Sequence, residues 1–166
     1  MERFWNIVHY FAYKADIKLT WYFYKYTGVF FLLNLSFMKK RYEKGGIKDP
    51  VTHLMDAHKR LDIGLSRLVA FGFILGGNLC VLLGLFMCFP NMQLPIELFT
   101  VCSVAIFLFD YILLIHKEKY LKYFKEFDKK PRQWKIKWAW ISFGVILFQW
   151  SFLLLAGFVL NPLFRL

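Results

Sequence analysis

The sequence predicts an all-α integral membrane protein, a four-transmembrane-helix bundle with helical cytoplasmic extensions. Three observations carry this prediction. Hydrophobic residues make up 58% of the 166 residues, compared with roughly 45–50% in ordinary soluble domains. Many of them fall in long runs with few charges, close to the roughly 20 residues that cross a bilayer. The 22 Lys and Arg residues, twice the 11 Asp and Glu, are concentrated in segments between these runs.

The predicted spans lie at about 19–38, 65–89, 95–115 and 138–160. The second and fourth contain uncharged apolar runs that are long enough to cross a membrane. The third has acidic residues only near its ends, within reach of an interface or a partner. The first contains Lys25, whose long side chain can reach the headgroup region if it lies near an interface. A re-entrant or interfacial segment is the alternative for this stretch.

The segments rich in Lys and Arg set the orientation. The stretch 39–61 holds seven of these residues and 116–137 holds nine. In a four-span chain both stretches fall on one side, with sixteen basic residues there against four on the other. Because cytoplasmic loops carry the excess of Lys and Arg, we expect cytoplasmic loops at 39–64 and 116–137 and both termini outside. Many Lys and Phe residues suggest an AT-rich bacterial genome, and therefore the bacterial inner membrane.

Two further features concern processing and redox chemistry. The stretch 4–13 is interrupted by Asn6 and His9 and is followed by no small-residue cleavage pattern. We therefore expect it to remain on the mature protein and not to act as a signal peptide. The three cysteines all lie in apolar runs, where they are expected to pack as small apolar side chains.

The second basic loop is predicted to contain an amphipathic helix that continues from the third span and ends before Pro131. Its aromatic face is Tyr120, Tyr123, Phe124 and Phe127, and its basic face is Lys119, Lys122, Lys125 and Lys129. The first interpretation is that this helix lies on anionic inner-leaflet lipids or packs against a helix that begins at Pro50. An acidic cytoplasmic protein is the second possible partner. Nucleic acid is the least favoured partner.

A cluster of His and Asp residues, His53, Asp56, His58 and Asp62, raises the question of a metal or enzyme site. At about 100° per residue, the first two lie on one side of a helix and the last two roughly opposite. One helix cannot place both pairs around one ion, so we expect a solvated surface and neither metal nor cofactor. No local motif for nucleophilic or nucleotide-dependent catalysis is present, so we expect no catalytic residue.

Charged residues inside the predicted spans are the best candidates for function, because burying a charge in lipid is costly. Arg67 and Asp110 lie at similar depths near the cytoplasmic side, and we expect them to pair. Lys25 and Glu97 match in the same way on the outer side, provided that the first segment crosses. The first interpretation of both pairs is structural: each charge neutralises the other inside the membrane. The alternative is that Asp110 or Glu97 lines an ion, proton or substrate path.

Small and polar residues predict how the spans meet. Gly72 and Gly76 form a G-x-x-x-G pattern in the second span, and Gly77 and Gly84 add a second small face. Small residues let helices approach closely, either within one bundle or between subunits. The uncharged polar residues at depth, which we expect to hydrogen-bond between helices or to face a wet cavity, are Asn34, Asn78 and Gln149.

Together these features favour a non-enzymatic membrane protein that forms a homo-oligomer or joins a membrane complex. It would form a pore, or couple a cytoplasmic protein partner to the membrane. Small bacterial membrane effectors of antiviral defence are similar in size and span number, which is an analogy of build only. The alternatives are a small transporter that uses Asp110 or Glu97, and a membrane enzyme that acts on lipid near His53 or His58.

Overall fold

The computed structural model describes residues 1–60, 64–88 and 95–160, with side chains up to Phe158. These residues form helices joined by turns, and they contain no strand. The α-helices are α1 (Glu2–Tyr26), α2 (Val29–Leu33), α3 (Ser36–Lys44), α4 (Pro50–Lys59), α5 (Leu65–Cys88), α6 (Ile96–Asp110), α7 (Lys119–Asp128) and α8 (Arg132–Leu155). The prediction of an all-α protein is confirmed for this part of the chain. Asp62, residue 89 at the end of the second predicted span and the residues after 160 lie outside it.

Irregular helical turns lengthen two of these helices. A π-helix, Tyr111–Ile115, and a short 3-10 turn, His116–Glu118, connect α6 to α7. Lys117 and Glu118 both have positive φ, 57° and 52°, which side chains other than glycine rarely adopt. The amphipathic helix therefore does not continue smoothly from the span before it, because the chain turns between the two. A second π-helix, Ala156–Leu160, follows α8.

Among the described residues, three helical stretches are long and apolar enough to cross a membrane: Leu65–Cys88, Ile96–Asp128 and Arg132–Phe158. They coincide with the second, third and fourth predicted spans. Their outward side chains are large and apolar, as lipid requires; Phe107 on α6 and Phe143 on α8 are examples. The chain is therefore compatible with a membrane protein.

The stretch predicted as the first span, 19–38, is divided among three helices. α1 ends at Tyr26, and Gly28 has φ 77°, a left-handed conformation that interrupts the helix. α2 has only five residues and ends at Leu33, before Asn34. No single helix covers this stretch, so the count of four spans stays a prediction.

The chain divides into two compact units, Met1–Ala12 with Phe71–Leu166, and Tyr13–Ala70. In the first unit, Val8, Ile74 and Leu114 form a fully buried apolar core. The first turns of α1 therefore pack with α5 and with the π-helix that follows α6. Close-packed side chains of this kind account for much of the stability of a helical bundle.

Glycines set the contact between α5 and α8 in the first unit. A Cβ atom added at Gly76 would lie 3.1 Å from the Trp150 ring. One added at Gly77 would lie 3.0 Å from Gln149 Cβ. At Gly84 it would lie 2.7 Å from the Phe152 ring. These three predicted packing glycines thus face a neighbouring helix of the same chain. Gly72 differs, because an added Cβ would meet no atom within 4 Å.

The second unit joins the latter part of α1 to α4. Tyr13 Oη donates a 2.6 Å hydrogen bond to the carbonyl oxygen of Lys59. α4 begins as predicted, with Pro50 in its first turn and the Asp49 carboxylate accepting from backbone amides. The hydrogen bonds from Thr52 hold the pKa of Asp49 below its usual range. α4 ends at Lys59, because Arg60 (φ −59°, ψ 127°) leaves the helical conformation.

Candidate functional site

A hydrogen-bonded polar cluster connects the three apolar helices of the first unit. Asn78 Nδ2 on α5 donates to both carboxylate oxygens of Asp110 on α6, at 3.1 and 2.9 Å. Gln149 Nε2 on α8 donates to Asn78 Oδ1 at 2.6 Å. Asp110 is 1% exposed and Gln149 is 4% exposed. One amide, that of Asn78, therefore joins all three helices.

The cluster lies deep along these helices. Asn78 precedes Cys88, the last residue of α5, by ten residues, which corresponds to about 15 Å of helix. This is about half of the roughly 30 Å hydrocarbon thickness of a bilayer. Asp110 must share this depth because it bonds to Asn78. The predicted position of Asp110 near the cytoplasmic end of its span stays a prediction.

The backbone is irregular next to this carboxylate. The π-helix begins at Tyr111, directly after Asp110. Turns of this type often occur at functional sites, because the extra residue redirects side chains and frees carbonyl groups. Asn6 on α1 donates from Nδ2 to the carbonyl oxygen of Leu113, at 3.1 Å, and is itself fully buried. A polar side chain of α1 therefore supports the irregular turn.

The predicted charge pairs stay predictions. The structure gives Asp110 a neutral donor, Asn78. Arg67 and Lys25 belong to the second unit, whereas Asp110 and Glu97 belong to the first. Glu97 lies exposed in the first turn of α6. The sequence analysis identified Asn78 as an uncharged polar residue inside a span. It predicted Arg67 as the partner of Asp110 because their charges are opposite.

The α1–α7 interface is a second polar feature of the first unit, and the sequence did not predict it. Lys119 Nζ lies 3.0 Å from a carboxylate oxygen of Glu2, and this contact holds the pKa of Glu2 below its usual range. Arg3 pairs with Glu126 at 2.6 Å. Further along α1, a tyrosine hydroxyl bonds to the last residue of α7: Tyr10 Oη donates to Asp128 at 2.6 Å.

The aromatic face of α7 is covered by α1. Tyr120, Phe124 and Phe127 are at most 1% exposed. The His9 ring packs edge-on against Phe124, with ring centroids 5.3 Å apart, and Tyr10 packs against the same ring. The aromatic face therefore packs on α1, while the predicted contact of this helix with anionic lipids or with the helix beginning at Pro50 stays a prediction. Long-range partners were not visible in the local pattern. The basic residues that remain exposed are Lys122, Lys125 and Lys129.

The two histidines of the predicted His and Asp cluster lie in different surroundings on α4. His53 is exposed, whereas His58 is buried. Both ring nitrogens of His58 are engaged, Nδ1 with the Leu54 carbonyl at 3.0 Å and Nε2 with Tyr24 Oη at 3.3 Å. No group of three or more His, Cys, Asp or Glu side chains that could hold a metal ion occurs in the part of the chain that the structure describes. The hypothesis of a lipid enzyme near His53 or His58 stays a prediction.

Comparison with known proteins adds no functional assignment: no protein-family model, curated protein or solved structure matches the chain. The candidate site therefore has to be interpreted from its own chemistry.

Proposed function

We propose that the chain is a three-span, non-enzymatic subunit of the bacterial inner membrane that couples a cytoplasmic partner to the bilayer. The spans are the helices beginning at Leu65, Ile96 and Arg132, and the residues before Leu65 lie at the cytoplasmic face. The observation that carries this proposal is the α1–α7 interface. Charged side chains that touch each other must lie on one side of a membrane, because charges do not cross hydrocarbon cheaply.

This interface supports the number of crossings that we propose. Glu2 and Arg3 contact Lys119 and Glu126, so an even number of spans must separate these two segments. α5 and α6 supply two. A third crossing within 19–38 would put the two segments on opposite sides, as in the four-span interpretation. The three-span topology removes this conflict.

The second unit supports the same conclusion independently. The segment 19–38 is flanked by Tyr13 and Lys59, which are joined by a hydrogen bond. Residues that contact each other through a hydrogen bond lie on the same side of the membrane. A segment that begins after one of them and ends before the other would therefore enter and leave the membrane on that side. This favours the re-entrant or interfacial alternative. Its exposed aromatic side chains suit the headgroup region. They include Trp21, Phe23, Tyr26 and Phe31.

Charge placement improves in this topology. Residues 1–64 carry eleven Lys and Arg, and 116–137 carry nine. Twenty basic residues then lie in the cytoplasm and one, Arg165, outside, with Arg67 just inside α5. The four-span interpretation gave sixteen against four. The positive-inside rule therefore favours three spans.

The coupling role follows from what remains exposed on this basic side. α1 covers the aromatic face of α7, which leaves the lysines Lys122, Lys125 and Lys129 to meet an acidic partner. Anionic inner-leaflet lipids and an acidic cytoplasmic protein both have the required charge. We expect the subunit to work as a homo-oligomer or in a complex, because the uncovered faces of the spans, such as that at Gly144 on α8, are open to another helix.

Labelling of single cysteines tests this topology. The three native cysteines are replaced by alanine, and Ala15→Cys, Lys48→Cys, Gln133→Cys and Arg165→Cys are introduced one at a time. We expect a membrane-impermeant maleimide to reach position 165 in spheroplasts and the other positions only after permeabilisation. Position 15 distinguishes the three-span from the four-span topology, because it is cytoplasmic in the first and external in the second. Positions 48 and 133 are cytoplasmic controls in both. Labelling of position 15 in intact spheroplasts would overturn the proposal.

A second candidate function is a proton or cation path through Asp110. The buried carboxylate beside a π-helix favours it, because intramembrane acids commonly mark such paths. Flux into proteoliposomes under an imposed potential separates the two functions. We expect wild type and Asp110→Asn to match empty liposomes. A flux that is present in wild type and lost in Asp110→Asn would instead establish the path.

A further inference from the structure

The second unit contains an open groove that the proposed function does not use. It lies between α1, α4 and the start of α5 and has a volume of about 290 Å³. This is close to the lower end of the range for small-molecule sites, roughly 300 Å³. Its apolar walls are formed by Leu19, Phe23, Leu65 and Val69. Leu19 and Phe23 are 67% and 62% exposed, so the chain itself does not fill the space between these walls.

The position of the groove indicates which molecules can enter it. Leu65 and Val69 belong to the first two turns of α5, a helix that is long and apolar enough to cross a membrane. The first turns of a span lie where headgroups meet acyl chains. An apolar groove at that level is open to lipid, and hydrocarbon covers its walls more favourably than water does.

The polar groups of the groove are on α1 and α4. Asp16 and Thr20 are four residues apart on α1, so they share one face of the helix. Asp16 is the charged group of the lining. His58 also lines the groove, but its hydrogen bonds to Leu54 and Tyr24 engage both ring nitrogens. A carboxylate and a hydroxyl fit a cationic, hydrogen-bond-donating group.

We propose that this groove binds one phospholipid of the cytoplasmic leaflet that carries an ammonium headgroup. Its acyl chain lies along Leu19, Phe23, Leu65 and Val69, and its ammonium group donates to Asp16 and Thr20. The proposal rests on the proposed function for the side of the membrane on which α5 begins. The groove of the second unit would then select a cationic headgroup, whereas the lysines on α7 attract anionic lipids.

Native mass spectrometry tests the proposal on the full chain. The protein is equilibrated in nanodiscs that contain equal amounts of phosphatidylethanolamine, phosphatidylcholine and phosphatidylglycerol, then released. We expect one retained phosphatidylethanolamine per chain. Val69→Phe, which fills the groove, should lose it, whereas Val104→Phe on an exposed face of α6 should retain it.

The headgroup contact is tested separately with an isosteric change. Asp16→Asn should lower the retained phosphatidylethanolamine about tenfold, because it removes a charge-assisted hydrogen bond. Asp56→Asn, at an exposed ion pair with Lys59, is the matched control and should leave retention unchanged. Asp16→Asn keeps the size of the side chain, so this arm stays informative if Val69→Phe fails to fold.

Several results would overturn the proposal. They are the absence of retained lipid in wild type, a preference for phosphatidylglycerol, equal retention in Val69→Phe and Val104→Phe, or no effect of Asp16→Asn. A lipid-free dimer would mean that a second copy covers the groove. The labelling of position 15 is independent of all these measurements, so a failed groove and a failed topology are distinguishable.

Discussion

Asn78→Leu is expected to lower the free energy of unfolding by about 2–4 kcal/mol. The change removes the donor to both carboxylate oxygens of Asp110 and the acceptor for Gln149. Two buried polar groups on different helices would lose their partner at once, in surroundings where water cannot replace it. Unfolding in mixed detergent micelles, followed by circular dichroism, measures the loss.

Two further variants show whether the cluster is the cause. Asn34→Leu is the matched control, because Asn34 is exposed and bonds only within its own turn, to the Phe30 carbonyl. It should cost about 0.5 kcal/mol or less. Adding Asp110→Leu to Asn78→Leu should cost less than the sum of the single changes, with a coupling of about 1–3 kcal/mol. A loss in Asn78→Leu no larger than in Asn34→Leu would contradict a structural role for the cluster.

Gly84→Val is the second change expected to have a large effect. A Cβ at this position would lie 2.7 Å from Phe152, closer than real side chains approach, so α5 and α8 would have to separate. We expect a loss of about 1–3 kcal/mol in the free energy of unfolding, as for other overpacked cores. The same detergent unfolding measures it.

Gly72→Val in the same helix is the control for this prediction. It introduces the same side chain where an added Cβ meets nothing within 4 Å. It should change stability little, because valine and glycine differ by well under about 1 kcal/mol in helix propensity. Equal losses at the two positions would show that helix propensity, and not the contact with Phe152, determines the result.

The sequence predicted the last three spans because long apolar runs with few charges are typical of helices that cross a bilayer. The first segment was harder to predict, since 19–38 matches a span in length and most of its composition. Its helix stops because Gly28 adopts a left-handed conformation. A lone glycine in an apolar run does not reveal whether it will do so, and the hydrogen bond from Tyr13 to Lys59 joins residues that are 46 positions apart.

The candidate site was predicted in part. Asp110 stood out because a carboxylate inside a span is costly, and Asn78 and Gln149 were expected to bond between helices. The choice of partner could not be predicted, since opposite charge favoured Arg67 and the rotation of each helix decides which side chains meet. The α1–α7 interface had no local signal, because its ion pairs join residues more than a hundred positions apart.

The α1–α7 interface also has a consequence for biosynthesis. Arg3 and Glu126 are 123 residues apart in the chain. At about 5–20 residues per second, the ribosome adds Glu126 roughly 6–25 seconds after Arg3. Until then the first turns of α1 lack α7 as the packing partner of Tyr10. The first turns of α1 can complete their packing only after α5 and α6, which precede α7 in the chain, have been synthesised.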